Sequence, residues 1–403
     1  MKFARSLTLC LGALSLLPSS PTALPTQEQA PSASATPIVI GEQLELASVQ
    51  LNEPRQLRVA VPPHYDQTNA TCCVLYLLDG ESLFEQAVGL VRHLGEFDAP
   101  PILIVGIDNT ERTRDLTPPA TDPDTTSSFP TGGGSATFRR YLVDEVKPFV
   151  EARYRTNGID LLAGHSFGGL FAAETLLLEP EAFDGFLALS PSFWWNDASL
   201  VADFEDLAPE HGLYRRFAWF SIGDEGAGMN PHFEAVVWSL RDNAPARFRW
   251  QSGHFAGHDH WSAAVPGLNE GLRAFFEPLR SFAQDARTFE DVERGFAAVR
   301  EAYGETFPMT AGPIVRRARE LKEEESYAAA VALLDGTMQH LPDEPLLSYV
   351  RSEVLTAAGR FEEAATTLEA AIDRFAKEPR HAMPVAWLRR QLRDLRSQRT
   401  PKE

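Results

Sequence analysis

The chain has 403 residues, 44% hydrophobic and 23% charged, a composition that folds and that suits one large domain plus a smaller one. Its 37 Lys and Arg against 56 Asp and Glu leave a formal charge of −19, which argues against nucleic acid as a partner and against a polybasic membrane anchor. Three cysteines exclude a disulfide scaffold and a Cys-rich zinc module, and no apolar run reaches the roughly 18 residues a transmembrane helix needs.

At the N-terminus, Lys2 and Arg5 precede an apolar stretch over 7–17, followed by small residues and prolines with a cleavage point at Ala23. This is the pattern of a signal peptide over 1–23, so the chain is expected to be exported, to a periplasm or outside the cell. Residues 24–37, rich in Pro, Ser, Thr, Ala and Gln, read as a linker rather than as the continuation of a buried helix. The adjacent Cys72 and Cys73 read as small buried residues, since vicinal cysteines rarely bridge each other.

From 38 to 283 short apolar runs alternate with amphipathic stretches. Strands are expected at LELASVQL from Leu44, QLRVAVP from Gln56, CCVLYLLD from Cys72 and ILIVGID from Ile102. Four more follow: IDLLAGHS from Ile159, GFLALSP from Gly185, FAWFSIGD from Phe217 and ARFRWQSGHF from Ala246. The middle runs are apolar on both faces, as in a covered parallel sheet, and the first two alternate as an antiparallel edge does. Helices are expected over 136–152, 168–178 and 232–243, so the fold class is α/β with a doubly wound, mostly parallel sheet. The polar stretch 118–135 reads as a long loop.

After 284 the chain turns helical. YAAAVALL starts at Tyr327 and FEEAATTL at Phe361, 34 positions later, which is the tetratricopeptide period. Ala330 matches Ala364 and Leu334 matches Leu368: a small residue lets antiparallel helices approach and a large one fills the gap beside it. Two units fall below the usual three, so the last helix, over 383–397, or the preceding domain is expected to cap them. Such repeats offer a surface for a protein or peptide partner.

The sequence GHSFGG over 164–169 fits G-x-S-x-G centred on Ser166, with an apolar strand running in and a helical segment running out. That context makes Ser166 a nucleophile at the C-terminal edge of the sheet, with the following helix dipole favouring an oxyanion. A serine needs a base, and the base an orienting carboxylate, in the chain order serine, acid, histidine. Asp224 and Glu225 stand at the lip of the Phe217 strand, and His254, His258 and His260 follow the last one. His254 is still in strand register; spacing leaves His258 and His260 open. The three histidines make only a weak zinc pattern, and no metal or organic cofactor is called for.

Several segments together resemble the esterase D-like branch of the α/β-hydrolases, whose members include siderophore-ester hydrolases, feruloyl esterases, S-formylglutathione hydrolases and mycolyltransferases. They are VLYLLDGESLF (74–84), ERTRDLTP (111–118), FRRYLVDEVKPFVEARYRT (138–156), LLAGHSFGGLFA (161–172), LALSPSFWW (187–195), SIGDEGAGM and GHDHWSAAVPGLNEGLRAFFE. The resemblance implies Ser166 as nucleophile, His260 as base and Glu225, with Asp224 the alternative, as acid. It implies an oxyanion hole from the backbone N–H groups of Phe167 and Glu81. Trp194 or Trp195 would line the substrate pocket or else belong to the core. Arg114 would face substrate or else pair with Asp115 or another carboxylate. The implied activity is hydrolysis of a small-molecule carboxylic ester through an acyl-enzyme. An acyltransferase with the same triad, or a scaffold acting through the repeats, are the competing readings.

Overall fold

The computed structural model describes residues 35–63, 65–67, 70–207, 212–304, 307–378 and 381–397. The expected signal peptide over 1–23 and the linker as far as 34 lie outside the described residues. Residues 35–39 are exposed and without regular structure.

All eight expected strands form: β1 Glu42–Ser48, β2 Glu53–Ala60, β3 Cys72–Leu78, β4 Ile102–Ile107, β5 Thr156–His165, β6 Gly185–Leu189, β7 Phe217–Gly223 and β8 Arg249–Phe255. They make one sheet in the order β1-β2-β4-β3-β5-β6-β7-β8. The β1–β2 and β2–β4 pairs are antiparallel and every later pair is parallel. Every residue of β3, β4, β6 and β7 is buried, which is why these runs are apolar without alternation. β3 lies between β4 and β5, so the strand order reverses there and opens a crevice beyond the C-terminal ends of β3 and β5.

The helices of the hydrolase part are α1 Gly80–Asp98, α2 Arg112–Leu116, α3 Pro123–Ser128, α4 Ser135–Tyr141 and α5 Lys147–Arg153. They continue with α6 Phe167–Leu178, α7 Trp195–Glu205, α8 Asn230–Asn243, α9 Ala264–Phe275 and α10 Glu277–Ser281. Three features depart from the sequence reading. The helix expected over 136–152 is interrupted by a π turn at Leu142–Val146, because Pro148 lacks an N–H and its ring opposes the carbonyl four residues back. The stretch 118–135 contains α3, started by Pro123 and capped by Asp122, whose carboxylate accepts from Thr125 N at 2.7 Å. Helix α1 is not among the expected helices, although Leu83, Phe84, Ala87, Val88 and Leu94 mark one buried face at helical spacing.

The two sides of the sheet carry separate cores. Cys73, Leu75 and Leu77 join one cluster with α1 and α9, whereas Cys72, Val74, Tyr76 and Leu78 join the other with α4, α6, α7 and α8. The pleat therefore sends the two cysteines to opposite faces, where both are buried free thiols.

The chain continues with α11 Phe289–Tyr303, α12 Ala311–Glu323, α13 Tyr327–His340, α14 Pro345–Ala357, α15 Phe361–Phe375 and α16 Ala382–Ser397. Tyr327 and Phe361 each start a helix, and Ala330, Ala364, Leu334 and Leu368 are fully buried, as the repeat pairing requires. The helical region has no core of its own: Leu83, Phe84 and Leu272 share one continuous cluster with Phe282, Phe296, Ile314, Leu347 and Leu388. Among the described residues, no helix is long and apolar enough to cross a membrane.

Candidate active site

β5 ends at His165 and α6 begins at Phe167, so Ser166 alone makes the turn, with φ 62° and ψ −115°. A positive φ is costly for a residue with a side chain and persists only where its surroundings enforce it. Here Ser166 N donates to Leu189 O at 2.9 Å, and Ser166 O accepts from Leu170 N at 2.9 Å and from Ser192 N at 3.2 Å. Gly164 is required: a Cβ there would stand 2.4 Å from the carbonyl carbon and oxygen of Gly168. The Ser166 hydroxyl lies 3.3 Å from Ser192 Oγ, and that side chain is buried just beyond the end of β6.

The acid and histidine candidates resolve into separate pairs. Glu225 Oε2 accepts from His260 Nδ1 at 2.6 Å. Its other oxygen accepts from Ser190 Oγ at 2.5 Å and from Gly223 N at 3.0 Å. Asn230 ties the turn by accepting from Glu225 N and donating to Gly223 O. The Glu225 side chain is 1% exposed. Burial pushes its carboxyl pKa up, but the hydrogen bonds from His260, Ser190 and Gly223 outweigh that and hold it below the ordinary value. Asp224 instead is half-exposed, paired with His254 Nε2 at 2.9 Å, and accepts from Gly257 N at 2.6 Å. His258 Nδ1 turns to Ser262 O at 3.1 Å. The three histidines thus have three different partners, and among the described residues no group of metal-ligating side chains comes together.

His165 joins the histidine loop to the elbow. Its Nε2 donates to His260 O at 2.6 Å, and the two rings lie 4.5 Å apart. Burial, and next the neighbouring His260, push its imidazole down to about 4, so it is neutral near pH 7. His260 is also flanked by the Trp261 ring at 5.6 Å.

Glu81 and Phe167 sit in the first turns of α1 and α6, where backbone N–H groups have no intrahelical acceptor. The two helix starts adjoin: a Cβ on Gly168 would lie 3.3 Å from Asp79 Oδ2 and 3.4 Å from Leu78 Cβ. The Glu81 side chain turns to Asn109, accepting from its backbone N at 3.1 Å and its Nδ2 at 2.6 Å.

Two substrate-contact expectations change. Arg114 donates to Asp115 at 2.7 Å and to Glu53 at 2.6 Å, in a network shared with the fully buried Arg55, which itself reaches Asp115 at 2.6 Å. It fastens α2 to β2. The arginine at the elbow is Arg112, two positions earlier: it bonds Asp79 and His165 O, and its guanidinium lies 5.4 Å from the Phe167 ring centroid. Helix α2 sends the two to different neighbours, a distinction the sequence motif alone did not carry. Trp195 is 1% exposed and donates its indole N–H to Pro118 O at 3.0 Å, so it is core. Trp194 is half-buried and forms, with Phe129 and Phe167, an aromatic wall beside Ser166. Phe129 comes from the stretch read as loop.

The Putative esterase family model matches residues 48–266, which contain Ser166, Glu225 and His260. The chain belongs to this family. A tetratricopeptide-repeat model matches 321–388 in the helical region. A siderophore triacetylfusarinine C esterase from Aspergillus fumigatus is 31% identical over 286 residues, covering 60% of this chain and 94% of the relative. A siderophore enterobactin esterase from Emericella nidulans is 31% identical over 195 residues, 42% of this chain; the match spans 64% of that relative's length. Among solved structures, an IroE-like serine hydrolase from Shewanella oneidensis superimposes with a TM-score of 0.65 at 26% identity, over 75% of this chain and 99% of that one.

Proposed function

We propose that this chain is an exported serine carboxylic-ester hydrolase that cleaves ester bonds of a siderophore. The observation that carries the reading is the 2.6 Å hydrogen bond between the buried Glu225 carboxylate and His260, whose own loop His165 holds against the Ser166 elbow. Ser166 Oγ rotates from Ser192 toward His260 Nε2 and attacks the ester carbonyl carbon as His260 takes its proton. The Phe167 and Glu81 amides receive the developing oxyanion. His260 returns the proton to the departing alkoxide, leaving an acyl-Ser166. Water then attacks with His260 again as base, releasing the acid and restoring the serine. Glu225 keeps the Nδ1–H tautomer and stabilises the imidazolium. The siderophore assignment follows the activities named for both fungal relatives.

A groove of about 600 Å³ between α13, α14 and α15, lined by Met338, Leu341, Arg351, Arg374 and Phe375, supports a protein partner on the repeats. Export rests on the leader pattern over 1–23 and is checked by following a C-terminally tagged chain through cell fractionation.

The deciding experiment compares the purified chain with folded Ser166→Ala on p-nitrophenyl butyrate, triacetylfusarinine C and enterobactin, with products followed by chromatography. Siderophore hydrolysis lost in the variant is the expected result. Turnover of the simple ester alone removes the siderophore assignment. Acyl products on an added alcohol, in preference to free acid, replace hydrolase by transferase. Turnover that survives in Ser166→Ala overturns the mechanism.

A further inference from the structure

Trp261 directly follows the histidine that Glu225 orients, and it is 75% exposed. Most of a large apolar ring therefore stands in water, where it contributes little to folding. The backbone that carries it is nonetheless fixed. Asp259 Oδ1 accepts from Trp261 N at 3.2 Å, from Ser262 N at 2.8 Å and from Ser262 Oγ at 2.7 Å. Ala263 N donates to Asp259 O at 3.0 Å, Asp224 N donates to His258 O at 2.6 Å, and His165 holds the turn at His260 O. The indole lies beside the imidazoles of His260 and His165, with centroids 5.6 and 5.5 Å away. The turn thus presents a flat apolar surface next to the candidate base, on a backbone that is ordered before anything binds.

We propose that Trp261 is a specificity-determining residue that stacks on a planar ring carried by the alcohol half of the ester. The inference rests on the serine-hydrolase reading above. In acylation Ser166 Oγ bonds to the carbonyl carbon, the bond from that carbon to the alkoxide oxygen breaks, and His260 Nε2 passes its proton to that oxygen. A general acid works only within hydrogen-bond reach, so the alkoxide and the group it carries leave on the side of the histidine, where Trp261 stands. The acyl half stays on Ser166, next to the wall of Phe129, Phe167 and Trp194. A planar ring against the indole gains an aromatic contact that a saturated ring of similar size does not. The preference belongs to acylation alone, because every ester of one acid leaves the same acyl-Ser166 once the alcohol has gone.

The test measures kcat/KM for two ester pairs in the wild type, Trp261→Ala and Trp261→Phe, with products followed by chromatography. Benzyl and cyclohexylmethyl butyrate differ only in the ring on the alcohol; methyl phenylacetate and methyl cyclohexylacetate differ only in the ring on the acid. Comparing one pair across variants cancels the intrinsic difference in reactivity between its two esters. Thermal unfolding checks the fold, and p-nitrophenyl butyrate checks that the wild type is active. Trp261→Ala is expected to lower the benzyl-to-cyclohexylmethyl ratio about fivefold, and Trp261→Phe to keep most of it. The ratio for the acyl-side pair is expected to move by less than about twofold in both variants. An alcohol-side ratio unchanged in Trp261→Ala overturns the proposal, even where all four rates fall in proportion, since Trp261 would then be only a support for His260. Equal changes in both ratios overturn it too, and so does a wild type that turns over p-nitrophenyl butyrate but neither alcohol-side ester. Turnover that survives Ser166→Ala, or none of any ester tested, refutes the underlying reading instead, so the two failures are distinguishable.

Discussion

Replacing Glu225 by Gln changes one oxygen to an NH₂ and little else in shape, and the surrounding donors determine which way the amide faces. Glu225 accepts three hydrogen bonds, from His260 Nδ1 at 2.6 Å, Ser190 Oγ at 2.5 Å and Gly223 N at 3.0 Å. The amide has one accepting oxygen for the two sides. Ser190 can rotate to accept, but Gly223 N–H cannot, so the amide oxygen stays toward Gly223 and Ser190 and the NH₂ faces His260. His260 then carries its proton on Nε2, the atom that takes the Ser166 proton in the proposed mechanism. In serine-protease triads the corresponding change costs about 10⁴ in kcat, and a loss on the order of 10³–10⁴ is expected here. Asp224→Asn touches only the His254 pair and a loop amide, and should stay within about threefold of wild type. Steady-state kinetics on a p-nitrophenyl ester, with unfolding curves for both variants, makes the comparison. Glu225→Gln retaining about a tenth of wild-type kcat, or Asp224→Asn losing about a thousandfold, would refute the assignment of roles.

His165 predicts an acid-sensitive stability. Its native imidazole titrates at about 4 because it is buried, against 6.5 ordinarily. Between those values the unfolded chain binds a proton that the native chain refuses, so stability falls as pH drops through that window, by about 3 kcal/mol in all. Urea unfolding from pH 7 to 4 should show this slope in the wild type and lose it in His165→Asn; equal slopes contradict the burial argument. A second prediction concerns the helical region, whose α12 packs on α1 and whose core continues that of the hydrolase. A chain ending after residue 283 uncovers apolar side chains worth about 1.5–3 kcal/mol each, against a total stability of typically about 5–15 kcal/mol. It should aggregate or lack a cooperative unfolding transition; a monomeric product with wild-type turnover contradicts the shared core.

Local patterns carry much of this molecule. Largely apolar runs announce β3, β4, β6 and β7, because buried parallel strands need apolar residues on both faces, and alternation announces β1 and β2. The 34-residue offset announces the repeat helices, because an Ala–Leu pair must recur wherever the same two helices meet. Ser166 is legible because a strand-to-helix turn this tight leaves room only for glycine at 164. Helix α1 is equally written in its sequence, in the buried face from Leu83 to Leu94, even though no turn motif draws attention to it. The interruption at Leu142–Val146 can also be traced to one proline.

Side-chain direction is another matter. Arg112 and Arg114 are two positions apart in one short helix, and only the packed neighbours decide that one grips the elbow while the other joins β2. Trp194 and Trp195 are adjacent, yet one joins the wall beside Ser166 and the other is sealed under Pro118. The sequence by itself determined the elements, the tight strand-to-helix turn at Ser166 and the residue types available around it. The tertiary structure decided which carboxylate meets which histidine, and that the helical region shares a core with the hydrolase. Those facts depend on contacts between segments far apart in the chain, and no local spacing encodes them.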